Sequence, residues 1–299
     1  MTRLRGHSRR FRERLLALHW QQWATLGIAA QVAPGEEWLI DPEALIASTL
    51  RLKAADPRLA GMAGEWLAAN GEWVNQARLQ RVFRAFDDGS AKPATRALQA
   101  EMESLASCRS RERKSRRKSV APSVQRPALL RLTLRGLMGM DARADILTFL
   151  LAGKRGSSLA IARQVYHDQK GTYRILEKWC ITGVVTKRAG GYALTRSHEW
   201  LQLLGIKRLP GYVDWVTVLA SLDRLALRLS GVEGGDPYVA SSLFRDAGES
   251  LAEPFADIGL SIPDPTWSPG NDYLAPFARF LDEHFTRLFG SRGLVSRKS

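Results

Sequence analysis

The chain has 299 residues, 45% of them hydrophobic, with 44 Lys and Arg against 30 Asp and Glu, a net charge of +14 and two cysteines. That apolar share excludes a disordered protein and allows two or three domains with buried cores, while so few cysteines exclude a disulfide framework and fit a reducing compartment. No apolar run approaches the roughly 18 residues a membrane span needs, because Trp215 to Leu229 is interrupted by Asp223, Arg224 and Arg228.

The first predicted domain, 1–86, is helical. Phe11, Leu15, Leu18 and Trp23 recur at helical spacing between Arg9 and Leu26, and Gly27 stops the run. Asp41-Pro42 and Asp56-Pro57 each set a capping carboxylate before a proline suited to the first helical position. A second helix therefore runs towards Leu52, a third carries Leu59, Met62, Trp66 and Leu67 to Asn70-Gly71, and a fourth spans Trp73 to Phe86. Trp20, Trp23, Trp38, Trp66 and Trp73 lack the interleaved basic residues of a base-stacking surface, so they are assigned to core packing. His19 has no second His or Cys nearby and is read as a packed or surface histidine.

Composition shifts over 87–127, where Ala94 to Leu105 leaves room for one helix and RSRERKSRRKSVAPS follows. Three segments carry the whole net charge: 1–14 with six Arg and one Glu, 108–118 with seven basic residues and one Glu, and 292–299 with three basic residues. The middle segment reads as a flexible basic linker in which Arg109, Arg111, Arg113, Lys114, Arg116, Arg117 and Lys118 track phosphates without specifying sequence. The basic tail at 292–299, with Arg297-Lys298, reads as solvated.

The most informative stretch is RADILTFLLAGKRGSSLAIARQVYHDQKGTYRILEKWCITGVVTKRAGGYALT, within a domain placed at 128–209. Ile146, Phe149 and Leu150 mark one helix, ended by Gly153 and Gly156, and Ser157 or Ser158 caps a short second helix holding Leu159, Ala160, Ala162 and Val165. Tyr166, His167 and Asp168 fill a turn, and Asp168 caps a third helix with Thr172, Leu176, Trp179 and Cys180 on its core face. Its other face carries Gln169, Lys170, Tyr173, Arg174 and Lys178. Val184, Val185 and Thr186 before Gly190-Gly191, and Tyr192, Ala193 and Leu194 after it, switch to strand alternation, with Lys187 and Arg188 near the hairpin tip.

That order is the plan of a winged helix-turn-helix. The small-residue helix Leu159-Ala160-Ile161-Ala162, the helix end Leu176-Glu177-Lys178-Trp179 and the lead-in Gly183-Val184-Val185 resemble the winged-helix domains of bacterial transcription regulators of the MarR and ArsR type. The resemblance implies double-stranded DNA binding, with Gln169, Lys170, Tyr173 and Arg174 facing bases and Lys178, Lys187 and Arg188 facing phosphates. Gly171, near the start of the third helix, departs from the pattern, as does the lack of the Cys and His clusters of metal-sensing members. The basic balance of 141–196, ten basic against four acidic residues, agrees with a polyanionic partner.

From 210 to 291 the balance reverses, to twelve acidic against five basic residues. Helices are expected over Tyr212 to Leu229, from Asp236-Pro237 to before Gly248, and over Tyr273 to Phe289, with an acidic loop IPDPTWSPGNDY between the last two. The closing helix has an apolar face of Leu274, Phe277, Phe280, Leu281, Phe285 and Leu288, which serves either this domain's core or a homodimer; the homodimer is expected through the helices after Pro210 or through the N-terminal Trp-rich helices. Asp257, Asp264, Asp272, Asp282 and Glu283 lack metal-ligand spacing and are assigned to the solvated surface.

No phosphate loop, His-Glu-x-x-His, Cys-x-x-Cys or nucleophile elbow occurs, so neither an enzyme nor a cofactor is expected. The whole layout, with HWQQWATLGI, WLIDPEALIASTLRLKAADPRL and YLAPFARFLDEHF around the central module, is similar to uncharacterised bacterial proteins encoded beside nucleotidyltransferases. The expectation is a mainly α, cytoplasmic, homodimeric transcriptional regulator. An antitoxin-like protein that restrains a partner enzyme and autoregulates its operon is the alternative.

Overall fold

A computed structural model describes residues 2–86, 122–231, 237–264 and 273–289. The linker cations Arg109, Arg111, Arg113, Lys114, Arg116, Arg117 and Lys118, the tail at 292–299 and most of the acidic loop lie outside the described residues. Among the described residues the chain is mainly helical, with a single two-stranded sheet. In chain order the elements are α1 Thr2–Thr25, α2 Pro42–Arg51, α3 Pro57–Asn70, α4 Gln76–Phe86, α5 Leu130–Met138, α6 Ala142–Leu151, α7 Ser158–Val165, α8 Gln169–Ile181, β1 Val185–Arg188, β2 Gly191–Leu194, α9 Ser197–Leu203, α10 Trp215–Gly231, α11 Pro237–Ala256 and α12 Leu274–Phe289. Among the described residues no helix is long and apolar enough to cross a membrane.

The chain divides into two units. One comprises Met1–Gly35, Ala44–Ala63 and Val213–Ser299, the other Glu36–Glu43 and Gly64–Tyr212. Residues of the segment 1–86 thus contribute to both.

In the first unit the apolar stripe of α1, Phe11, Leu15, Leu18 and Trp23, is buried, as its spacing requires. The Trp23 indole N–H donates to Thr49 Oγ1 at 2.9 Å, which satisfies the polar edge of a fully buried ring. Asp56 Oδ1 accepts from the Leu59 amide at 2.9 Å and so caps α3, as the Asp-Pro pair predicts. On α12, Phe277, Phe280 and Leu281 are buried in their own unit, with Phe277 edge-on to Phe244 at 5.4 Å. Those three side chains are therefore core. The side chains of Leu274, Phe285 and Leu288 lie outside the described residues.

Two boundaries in this unit differ from expectation. Helix α10 starts at Trp215, where Asp214 Oδ1 accepts from the Thr217 amide at 3.2 Å, rather than at Tyr212. Helix α11 continues through Gly248 to Ala256. A Cβ at Gly248 would sit 2.7 Å from the Tyr273 hydroxyl, so this glycine admits a close neighbour instead of ending a helix.

The second unit has one apolar core drawn from α5 to α8, both strands and the loop to Tyr212, including Leu130, Leu147, Phe149, Ile161, Leu176 and Tyr192. Phe149 meets Tyr212 edge-to-face at 5.4 Å. The fourth helix starts later than Trp73. Gly71–Trp73 forms a 3₁₀ turn, and Asn75 Oδ1 then accepts from the Arg78 amide at 3.0 Å to cap α4.

Strands β1 and β2 pair antiparallel, with Val185 opposite Leu194 and Arg188 opposite Gly191. The hairpin is tied to the loop before α7 by the Tyr192 amide donating to Gly156 O at 2.8 Å. Gly191 has φ +99°, and a Cβ there would stand 2.2 Å from the Gly156 carbonyl carbon. Gly191→Ala should therefore cost about 1–3 kcal/mol through backbone strain and displacement of that bridge. Gly190→Ala, whose added methyl meets only the Arg155 guanidinium at 3.9 Å, should be near neutral. Thermal denaturation checks the pair, and equal midpoints would contradict this account of the hairpin.

Candidate nucleic-acid interface

Helix α8 owes its start to Asp168, whose Oδ1 accepts from the Gly171 amide at 2.6 Å. Gly171 fits this cap. A Cβ there would approach Asp168 Oδ2 to 2.9 Å, so the glycine that lowers helix propensity also leaves room for the capping carboxylate. The preceding helix ends on Tyr166 in the left-handed region, φ 58°, which turns the chain sharply between α7 and α8.

Thr172 and Leu176 on α8 are fully buried, and Ile175, Trp179 and Cys180 pack half-buried against the core. Gln169, Lys170, Tyr173, Arg174 and Lys178 are exposed, as are Lys187 and Arg188 on β1. The expected division of the helix into a core face and an outward face is present. Ile181, 86% exposed at the end of α8, adds an apolar side chain near the outward cations.

The hairpin is fixed to the helix by a small charged cluster. Lys187 Nζ lies 3.0 Å from Glu177 Oε1, 5.1 Å from the Tyr192 ring centroid and 5.9 Å from that of Tyr173. The Tyr192 hydroxyl donates to the same Glu177 oxygen at 2.5 Å. This hydroxyl and then Lys187 hold Glu177 below its ordinary range, while Tyr192 and then Glu177 raise Lys187, so both keep their charges at neutral pH. Lys187 thus spends part of its charge on Glu177. Arg188 and Lys178 have no acidic partner among the described residues, so of the cations expected to meet phosphate they are the less engaged.

Beneath the turn lies a charge network whose pairings no spacing in the sequence announces. Arg78, Arg131 and Arg135 face Asp41, Glu43 and Asp145, all of them buried. Arg78 donates to Asp41 Oδ1 at 2.7 Å, Asp41 Oδ2 at 2.5 Å and Glu43 Oε2 at 2.7 Å. Arg135 donates to Glu43 Oε1 at 2.7 Å and Asp145 Oδ1 at 3.1 Å, and Arg131 donates to Asp145 Oδ1 at 2.6 Å. Three cations balance three carboxylates. Burial opposes ionisation of Asp145, but Arg135, Arg131 and the His167 hydrogen bond outweigh it and hold the carboxyl well below its usual range.

Two bonds carry this network to the turn before α8. Arg78 Nε donates to Val165 O at 2.8 Å, satisfying a carbonyl at the end of α7. His167 Nε2 donates to Asp145 Oδ2 at 2.7 Å. The approach of α8 is thereby set by buried, charge-assisted contacts as well as by apolar packing. The signal in sequence was two arginines four residues apart in LLRLTLRGLM, with one acid in the apolar run RADILTFLL.

Beside α8, on the side away from the hairpin, a cleft of about 710 Å³ is lined by residues including Arg81, Asp141, Arg143, Asp168, Lys178 and Trp179. Of the predicted phosphate ligands, Lys178 lies here, separate from Lys187 and Arg188. Among the described residues no group of three His, Cys, Asp or Glu could hold a metal ion. No family model, curated protein or solved structure matches the chain.

Proposed function

We propose that this protein is a sequence-specific double-stranded DNA-binding transcriptional regulator, without catalytic activity, acting in the cytoplasm. The observation that carries this reading is the exposed face of α8, where Gln169, Lys170, Tyr173 and Arg174 lie beside a basic hairpin on a helix whose start is capped and held from below. An α-helix of this width fits the major groove, and Arg and Gln are side chains that hydrogen-bond base edges there. The segment 128–209 is the winged helix-turn-helix in this reading. The basic linker supplies sequence-independent attraction, and the acidic C-terminal helices serve a partner or dimer.

A single module reads too few base pairs to select one site, so the regulator acts as a homodimer on paired half-sites. Phe277, Phe280 and Leu281 are buried in their own unit, so this reading does not draw the dimer surface from them.

Arg174→Ala should cost about 1–3 kcal/mol of discrimination at one base position. Arg188→Ala should weaken specific and random duplexes alike, because a phosphate contact carries no sequence information. Competition binding with a preferred site and with random duplex separates the two. Equal loss on both duplexes for Arg174→Ala would overturn the assignment of α8 as the reading helix.

A further inference from the structure

We infer that the cleft formed by α4, α6 and α8 is a second phosphate-binding flank, which takes the DNA backbone strand on the side of the groove opposite the hairpin. The inference rests on α8 being the reading helix.

A helix lying in the major groove, about 12 Å wide, is bordered by a phosphate strand on each side. On α8 the hairpin occupies one border, through Glu177 and Tyr173, which Lys187 contacts. Given 3.6 residues per turn, Lys178 lies about 100° around the helix from Glu177 and about 140° from Tyr173, and Thr182 of the cleft wall about 140° from Glu177, so together they face the other border. There the cleft adds two arginines, Arg81 from α4 and Arg143 from the start of α6. Arg81 comes from a segment far from the winged-helix region in sequence, so the basic surface extends beyond the module that carries the reading helix.

The charges of the cleft leave a cation for an anion to find. Arg143 is engaged by Asp141, the cap of α6, and Arg81 is 4.0 Å from Asp168 Oδ2, which is already committed to capping α8. Lys178 is exposed and has no acidic partner among the described residues. The lining therefore carries three cations against two carboxylates, with the surplus on Lys178. Both carboxylates are already used by backbone amides and arginines of the protein. A strand of phosphates meets that surplus without displacing a helix cap.

The test is the salt dependence of binding to a random-sequence duplex, since each phosphate contact contributes about −0.9 to the slope of log affinity against log salt. The paired variant Arg81→Gln with Lys178→Gln should flatten the slope by about one, the contact of the surplus cation, and weaken preferred and random duplexes by the same factor. Conversely Thr182→Lys, at an exposed position on the cleft wall, should steepen it by about one. Circular dichroism confirms that these surface variants fold. A slope unchanged by either variant overturns the second flank, and if Arg174→Ala still removes discrimination, the reading of α8 survives. If Arg174→Ala leaves discrimination intact while the slope responds, the cleft binds DNA but α8 is not the reading helix.

Discussion

Asp145→Asn should destabilise the second unit by about 3–5 kcal/mol, because it strands buried cations without their counter-charge. Asp145 accepts from Arg131 at 2.6 Å, Arg135 at 3.1 Å and His167 at 2.7 Å and is fully buried. The asparagine is nearly isosteric, so the loss reports charge and hydrogen bonding rather than a cavity. Chemical denaturation followed by tryptophan fluorescence measures it. A second substitution, Arg131→Met, removes a matching cation and should recover a large part of the loss, the non-additivity expected of one network. A loss below about 1 kcal/mol for Asp145→Asn would mean the network is marginal to stability. The carboxylate's lowered pKa gives the sign of its pH dependence: its contribution is present above the ordinary Asp range and is lost as pH falls through the folded-state value.

The first unit should lose stability between about pH 6.5 and pH 8, and Asp223→Asn should abolish that loss. His19, Ser48 and Asp223 form a buried chain, with Ser48 Oγ 2.5 Å from His19 Nε2 and 2.8 Å from Asp223 Oδ1. His19 Nδ1 donates to Leu15 O at 2.7 Å, which leaves Nε2 of the neutral ring as an acceptor. Burial lowers His19 to about 4 and raises Asp223 to about 8; the Leu15 bond and then Asp56 act against burial at the imidazole, and the Ser48 bond and then Arg51 act against it at the carboxyl.

Linkage gives opposite signs for the two groups. Below about pH 8 folded Asp223 holds a proton that the unfolded chain releases near its ordinary value of about 3.9, so stability falls as pH rises through this window. Below about pH 6.5 unfolded His19 holds the extra proton, so stability rises with pH there, and the two slopes oppose each other. From about pH 6.5 to pH 8 only Asp223 acts, at up to about 1.4 kcal/mol per unit, or about 2 kcal/mol in all. Asn keeps an oxygen that accepts from Ser48 and carries no charge. The same slope in both proteins on denaturant titration would show that Asp223 is ionised in the folded state.

The local elements were legible in the sequence because their determinants are local. Ser157 and Asp168 cap the helices they precede, and the change from helical to alternating spacing after Gly183 becomes the hairpin. Gly248 misled because the same residue type ends helices and admits close neighbours, and only the position of Tyr273 distinguishes the two. Asp41 has the sequence position of a helix cap, yet its carboxylate binds Arg78 and Arg131, partners 37 and 90 positions away. No periodicity reports such pairings, since they depend on which helix ends converge. The same limit hid the cleft, where Arg81 and Lys178 meet across nearly a hundred residues.

Genomic footprinting of the tagged, full-length chain tests the central claim most directly. Discrete protected sites that share a short, two-fold-related sequence, and that weaken and lose their preference at one base position in Arg174→Ala, are the predicted result. Uniform occupancy, or discrete sites whose occupancy and base preference are unchanged in Arg174→Ala, would contradict a regulator that reads sequence through α8.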